Sequence, residues 1–115
     1  MSEYELQQNF ITELRRGSLT MAVLGCLKTP HYGYALLQTL QENQVTIEAN
    51  TLYPLLRRME SQGLLSSSWD TTESRPRKYY SVSPAGEQVL HGLLAEWKKM
   101  QAAMVQICER ENENA

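Results

Sequence analysis

Cysteine is scarce in this chain of 115 residues, which contains only two. Cys26 and Cys108 are far apart in the sequence, and both have apolar neighbours. This setting is typical of buried free thiols rather than of a disulfide or a metal-binding pair. The two thiols therefore predict a reduced, cytoplasmic protein.

Long apolar runs are absent as well. No stretch of the sequence approaches the roughly 20 apolar residues that cross a bilayer, so we expect no membrane partner. The first twenty residues carry Glu3, Glu5 and Glu13 and lack an apolar run, so they are not expected to be a signal peptide. A chain of this length is expected to form one domain with a modest core.

The sequence also lacks the motifs of common enzymes. It contains two histidines, His31 and His91. Neither belongs to a group of residues at the sequence spacing of metal ligands. There is no glycine-rich phosphate loop, no G-x-S-x-G and no H-E-x-x-H. We therefore predict a protein that is not an enzyme, with no metal, no cofactor and no catalytic residue.

Charge is distributed unevenly along the chain, whose net charge is -2. Residues 51–80 contain five cations and three anions, whereas residues 109–115 contain one cation and three anions. The distribution says more about partners than the sum does. A local excess of cations in the middle of an acidic chain indicates a surface for a polyanion.

The spacing of apolar residues predicts three short helices. Residues 5–28 are helical in pattern, and Gly17-Ser18 is expected to divide them into an arm and a first core helix. A second helix is predicted at about 33–44. Gly33 at its start is expected either to adopt a positive φ or to allow close packing. The third is predicted at about 49–62. Its buried stripe consists of Leu52, Leu55, Leu56 and Met59.

A β-hairpin and a long helix complete the pattern. Two β-prone runs, 64–69 and 77–82, flank a polar, turn-rich segment. Ser83-Pro84 then has the character of an N-cap and first helical residue for a helix from 84 to about 110. The sequence thus predicts a mostly α fold with a small β-hairpin (α+β). We expect an N-terminal arm and winged helix-turn-helix domain in residues 1–83, followed by a C-terminal dimerisation helix and tail in residues 84–115.

The last helix would extend roughly 40 Å, which is too long for so small a domain to cover. Its apolar residues from Leu90 to Ile107 step by 3, 4, 3, 4 and 3, as in a coiled-coil seam. This seam packs either on its own domain or in a two-fold homodimer, with the arm 3–16 as a second contact. The predicted dimer residues are Leu90, Leu93, Leu94, Trp97, Met100, Met104 and Ile107.

The third helix and the hairpin carry the candidate nucleic-acid contacts. Polar and basic residues of the helix lie opposite its buried stripe, an arrangement that a solvated surface also shows. The basic hairpin that follows favours double-stranded DNA, read in the major groove by the helix and gripped by the wing. The alternative is a winged-helix adaptor that binds proteins without contacting DNA. The predicted DNA contacts are Asn50, Thr51, Tyr53, Arg57, Arg58, Arg75, Arg77 and Lys78.

Three motifs, TLYPLLRRME at 51–60, GLL at 63–65 and RKYYSVSPAG at 77–86, make the sequence recognisable in combination. Arg16-Gly17, Tyr32-Gly33-Tyr34 and Trp97 add to them. Over roughly 16–97 the chain resembles the PadR family of bacterial transcriptional regulators, in its short form with a single C-terminal helix. It departs from the family pattern at Glu48-Ala49-Asn50, where members often have Ser-Pro-Gly, and we expect Glu48 to affect operator choice.

The resemblance implies a homodimer that binds a palindromic operator, usually as a repressor, and that a small molecule releases. Trp97 is midway along the seam, at an a-type position where a large indole fits poorly in a two-stranded coil. The two indoles would either fill the interface or leave apolar space in which a small aromatic effector stacks. The residues predicted to line this space are Phe10, Leu14, Leu93, Trp97 and Met100.

Overall fold

Five helices and a three-stranded sheet form the protein, whose computed structural model describes residues 1–109. The predicted end of the last helix at about 110 and the acidic residues Glu111 and Glu113 lie outside that range. The helices are α1 (Glu3–Arg16), α2 (Leu19–Cys26), α3 (Gly33–Glu42), α4 (Ala49–Ser61) and α5 (Pro84–Cys108); the strands are β1 (His31–Tyr32), β2 (Leu65–Asp70) and β3 (Arg77–Val82).

Side-chain caps begin two of the helices, α1 and α5. Ser2 and Glu5 form a capping box at the start of α1. The break predicted at Gly17-Ser18 is confirmed, although the Ser18 hydroxyl donates to the Arg15 carbonyl at 2.8 Å and does not cap α2. The Ser83 hydroxyl accepts from the Gly86 N–H at 3.0 Å, as predicted for the N-cap of α5.

The sheet has one strand more than the predicted hairpin. The strand order is β1-β3-β2, and β2 pairs antiparallel with β3 from Leu65 opposite Val82 to Asp70 opposite Arg77. The additional strand β1 pairs His31 with Tyr80 and Tyr32 with Tyr79. Two residues are too few to show the alternation by which a strand is predicted, so β1 could not be predicted from the sequence.

The core lies between α2, α3, α4 and the sheet. The predicted buried stripe of α4 is confirmed, and the first three turns of α5 close the core through Leu90, which is 2% exposed. Gly86 permits this packing, because a Cβ there would lie 2.1 Å from the Leu64 carbonyl oxygen. The first turn of α5 therefore depends on glycine for its close approach.

Two elements extend from this core with apolar surface exposed. Helix α1 buries none of its residues. The second half of α5 is exposed from Ala95 onward. Cys108 is consequently exposed, so the expectation that both thiols are buried was wrong for it; Cys26 is half-buried, and burial raises the pKa of its thiol. Within residues 1–109, no helix has the length and hydropathy needed to cross a membrane.

Candidate nucleic-acid interface

Helix α4 presents a polar and basic face to solvent. Its apolar stripe is fixed in the core, so the opposite side is turned outward. The Glu48 side chain at the N-cap makes no hydrogen bond to the first turn of α4. The Thr51 and Leu52 N–H groups donate to the Glu48 carbonyl at 3.0 Å, so it is the N–H groups of Ala49 and Asn50 that are left to an acceptor. The exposed residues of this face include Asn50, Thr51, Arg57 and Arg58.

Tyr53 differs from these residues because its ring is half-buried. It packs on Gly33 at the start of α3, where a Cβ would lie 2.5 Å from the Tyr53 Cε1 atom. Of the two roles expected for Gly33, close packing is therefore the correct one. The contact holds the ring at the edge of the exposed face of α4, with less freedom than a surface tyrosine has.

The wing, defined as β2, β3 and the loop 71–76 between them, carries three cations in three different settings. Arg75 lies in the exposed loop. Arg77 and Lys78 are consecutive in β3, so their side chains point to opposite faces of the sheet. The Arg77 guanidinium lies 4.5 Å from the centre of the Tyr32 ring, and Tyr32 in turn packs edge-on against Tyr79.

Lys78 points toward α4 and is bound there by Glu60. Its Nζ donates to Glu60 Oε1 at 2.9 Å and lies 5.0 Å from the centre of the Tyr80 ring. The other oxygen of Glu60 accepts a hydrogen bond from the Ser67 hydroxyl of β2. These bonds from Ser67 and Lys78 lower the pKa of the Glu60 carboxyl, and the bond to Glu60 raises the pKa of Lys78.

The ion pair of Glu60 with Lys78 was not predicted from the sequence. Glu60 belongs to the TLYPLLRRME motif, but its partner Lys78 is 18 residues away. A pairing at that separation leaves no periodic signal, because it depends on how the hairpin folds back on α4. The start of the wing loop is fixed more locally: the Thr72 N–H donates to Asp70 Oδ1 at 3.0 Å, which lowers the pKa of Asp70.

The predicted dimer residues divide into two groups. Leu90 is in the core of its own chain, and Leu93 and Leu94 are half-buried against that core. Leu90 is therefore not available to a second chain, which corrects its assignment, because the seam begins inside the domain rather than beyond it. The exposed group consists of Trp97, Met100, Met104 and Ile107, with exposed fractions of 45%, 54%, 50% and 67%.

The residues predicted to line a ligand pocket are not assembled by one chain. Phe10 and Leu14 are exposed and lie with Leu6 and Ile11 on one apolar face of α1. Trp97 and Met100 lie on α5 and are not among them. Within residues 1–109, no group of three or more His, Cys, Asp or Glu side chains is placed to hold a metal ion.

Known proteins are similar to this chain over most of its length. The model of the Transcriptional regulator PadR-like family matches residues 23–92, which include α4, the wing and the first turns of α5. A PadR family transcriptional regulator from Eggerthella lenta DSM 2243, known from its crystal structure, is 46% identical. The two structures superpose with a TM-score of 0.88 over 93% of this chain and 96% of that one.

Two further relatives match over shorter spans. A transcriptional regulator of Mycobacterium tuberculosis is 37% identical over 59 residues, so the match covers 51% of this chain and about half, 55%, of that curated relative. The Bacillus subtilis PadR structure, in complex with operator DNA, is 25% identical with a TM-score of 0.61, over 66% of this chain and 46% of that one. These relatives are transcriptional regulators rather than enzymes. The chain belongs to the Transcriptional regulator PadR-like family.

Proposed function

We propose that the protein regulates transcription by binding an inverted-repeat operator as a homodimer, with α4 in the major groove and the wing on the adjacent backbone. The observation that carries the proposal is the exposed polar and basic face of α4 beside the cations of the wing. The operator complex of the Bacillus subtilis relative supports it. In this arrangement residues 1–83 contain the N-terminal arm and the winged helix that binds DNA, and residues 84–115 contain the dimerisation helix and tail.

The side chains of α4 divide the work according to their positions. Arg57 is exposed and long enough to reach base edges or phosphates in the groove, and the Tyr53 ring is held beside it. Asn50 and Thr51 bond phosphate at the N-terminus of α4, where uncapped N–H groups also favour an anion. Arg58 helps to hold the DNA backbone.

The cations of the wing supply affinity that does not depend on sequence. Arg75 is in the exposed loop and approaches phosphates directly. Arg77 and Lys78 already have partners within the chain, Tyr32 and Glu60. Their charges therefore act from fixed positions, which suits contacts that set the register of the protein on the duplex.

The dimer is formed by the exposed apolar surfaces of α5 and α1. The seam from Trp97 to Ile107 lies beyond the core, and α1 buries none of its own residues. A two-fold axis would pair the α5 helices and bring the partner's α1 against them, since an isologous contact covers the same patch on both chains. Two recognition helices would then be about 34 Å, one turn of DNA, or a multiple apart.

The same interface is the proposed site of an aromatic effector that releases the repressor. Trp97 is 45% exposed, and Phe10 and Leu14 from the partner's α1 would complete a pocket with Leu93 and Met100. A ligand that prefers one dimer geometry shifts the spacing of the α4 helices and hence the affinity for DNA. If the indoles instead fill the interface, no such space exists.

Trp fluorescence tests the effector, because the chain has only two tryptophans. Titration with planar aromatic compounds should quench wild type and Trp69→Phe, whose replaced residue is in the wing, with equal affinity. Trp97→Phe should bind the same compound more weakly, as measured by calorimetry, because its remaining Trp69 lies in the wing. Equal affinity in all three proteins would place any pocket elsewhere.

A mobility-shift series on the DNA upstream of the protein's own gene tests the regulator against an adaptor that binds only proteins. We expect a shifted complex that weakens steeply as salt is raised, because bound phosphates release counterions. Lys99→Ala, which removes one exposed cation from α5, should leave the shift nearly unchanged. Absence of any complex at low salt would favour the adaptor.

A further inference from the structure

We propose that Glu60 is a positioning residue for operator recognition, fixing the wing against α4 and so setting where the cations of the wing lie relative to the bases that α4 reads. This inference rests on the proposed function. Glu60 itself is an anion in a surface that approaches a polyanion, so its contribution would be geometric rather than a contact with DNA.

The geometry joins three elements through one carboxylate. Glu60 lies near the end of α4, Oε1 accepts from Lys78 of β3 at 2.9 Å, and Oε2 accepts from Ser67 of β2. Ser67 is opposite Tyr80 and Trp69 is opposite Lys78 in the ladder, so Ser67 and Lys78 share the face of the wing that is turned toward α4. Both strands of the wing are thereby tied to the recognition helix.

Neutralising Glu60 should have opposite effects on DNA affinity depending on whether or not Glu60 positions the wing. A carboxylate near DNA that does not position the wing repels phosphates and lowers the affinity for DNA, so its neutralisation would strengthen binding. A carboxylate that fixes the wing contributes more by its geometry than it costs by its charge. The side chains of Glu60 and Lys78 are 30% and 29% exposed, so solvent screens the pair and its contribution to stability should be small.

Glu60→Gln separates these two expectations, since it keeps the size of the side chain and removes its charge. Wild-type and variant proteins are titrated onto the operator duplex and onto a scrambled duplex of equal length. We expect operator binding to weaken about fivefold, as for loss of an exposed ion pair. Scrambled DNA should bind as before or more tightly, because Lys78 loses its neutralising partner. A domain that is merely less stable would lose affinity for both.

Two variants serve as comparisons. Glu73→Gln removes the same charge from the exposed wing loop, and should leave both affinities unchanged or raise them. Ser67→Ala removes the second hydrogen bond to Glu60 without a change in charge, and should weaken operator binding alone. Thermal melting of each variant measures whether its fold is retained.

The outcomes distinguish failure of the positioning role from failure of the proposed function. If Glu60→Gln binds the operator as tightly as wild type, or more tightly in the manner of Glu73→Gln, the positioning role is overturned while the proposed function stands. A wild-type protein that binds no duplex overturns both. A selective loss of operator affinity in Glu60→Gln and Ser67→Ala supports the positioning role.

Discussion

Arg57 and Tyr53 lie close together on α4, but their side chains differ in conformational freedom. Arg57 is exposed, whereas the Tyr53 ring is half-buried and packed on Gly33. Fixing a long arginine on a base costs side-chain entropy, which a ring already held in place does not lose. At the residue scale we therefore expect Tyr53 to act as a rigid contact and Arg57 as an adaptable one that carries sequence discrimination.

Arg57→Ala tests that assignment. The substitution should cost roughly 1–3 kcal/mol of binding free energy on the preferred operator and relax specificity at one base position. The side chain is exposed, so the melting temperature should change little. Titration onto the operator and its single-base variants measures the loss; unchanged operator affinity would mean that another face of α4 meets the DNA.

Gly86 makes a second prediction at this scale, and it concerns stability. A Cβ at Gly86 would lie 2.1 Å from the backbone oxygen of Leu64, so Gly86→Ala must displace α5 and should cost about 1–3 kcal/mol of unfolding free energy. Gly92 is in the same helix with nothing within 4 Å of such a Cβ. Gly92→Ala should therefore stabilise by about 0.5–1 kcal/mol. Urea unfolding measures the free energy of unfolding of both variants. Equal changes in Gly86→Ala and Gly92→Ala would contradict the packing of the first turn of α5.

At the scale of elements, the wing is the part whose charges are most constrained. Arg77 and Lys78 emerge on opposite faces of β3, one over Tyr32 and the other against Glu60. The wing therefore holds two of its three cations in place before DNA arrives. Only Arg75 lies in the exposed loop.

Arg77→Ala tests whether the wing acts through electrostatics. Affinity should fall by a similar factor on operator and scrambled DNA, and the slope of log affinity against log salt should decrease by about 1. Loss of the contact with the Tyr32 ring should also lower the melting temperature slightly. A loss confined to one sequence, with the salt slope preserved, would indicate that the wing reads bases.

Periodicity and capping residues were sufficient to predict most of the elements. The stripe of α4, the break at Gly17-Ser18 and the start of α5 at Ser83-Pro84 all depend on neighbours within a few residues, and all are confirmed. Strand β1 was missed because it exists only by pairing with β3. Glu60 was missed for the same reason, since its two partners arrive with the hairpin.

At the scale of the whole molecule, exposed apolar surface is the feature that a single chain does not explain. The seam residues beyond Leu94 are exposed, and so is the apolar side of α1. Contiguous patches of this kind mark interaction surfaces. Leu90 was assigned to the same surface from sequence because heptad spacing does not show where a helix leaves its own core.

Met100→Asp should convert the proposed dimer into a monomer. The side chain is 54% exposed in one chain, so an aspartate there is solvated in the monomer but costly when buried unpaired in the seam. Leu93→Asp should have the same effect, with added loss of stability because Leu93 also packs on the core. Gln106→Asp, off the seam, is the matched control. Sedimentation gives the mass; a dimer of unchanged mass in Met100→Asp would exclude this interface.

The most direct test of the account is a hydroxyl-radical footprint of the wild-type protein on the DNA upstream of its own gene. Two recognition helices related by a two-fold axis should protect two segments of an inverted repeat, with centres about 34 Å, one helical turn, or a multiple apart. We expect this symmetric pattern for the wild-type protein and its loss in Met100→Asp. A single asymmetric protected segment, or no protection at low salt, would contradict it.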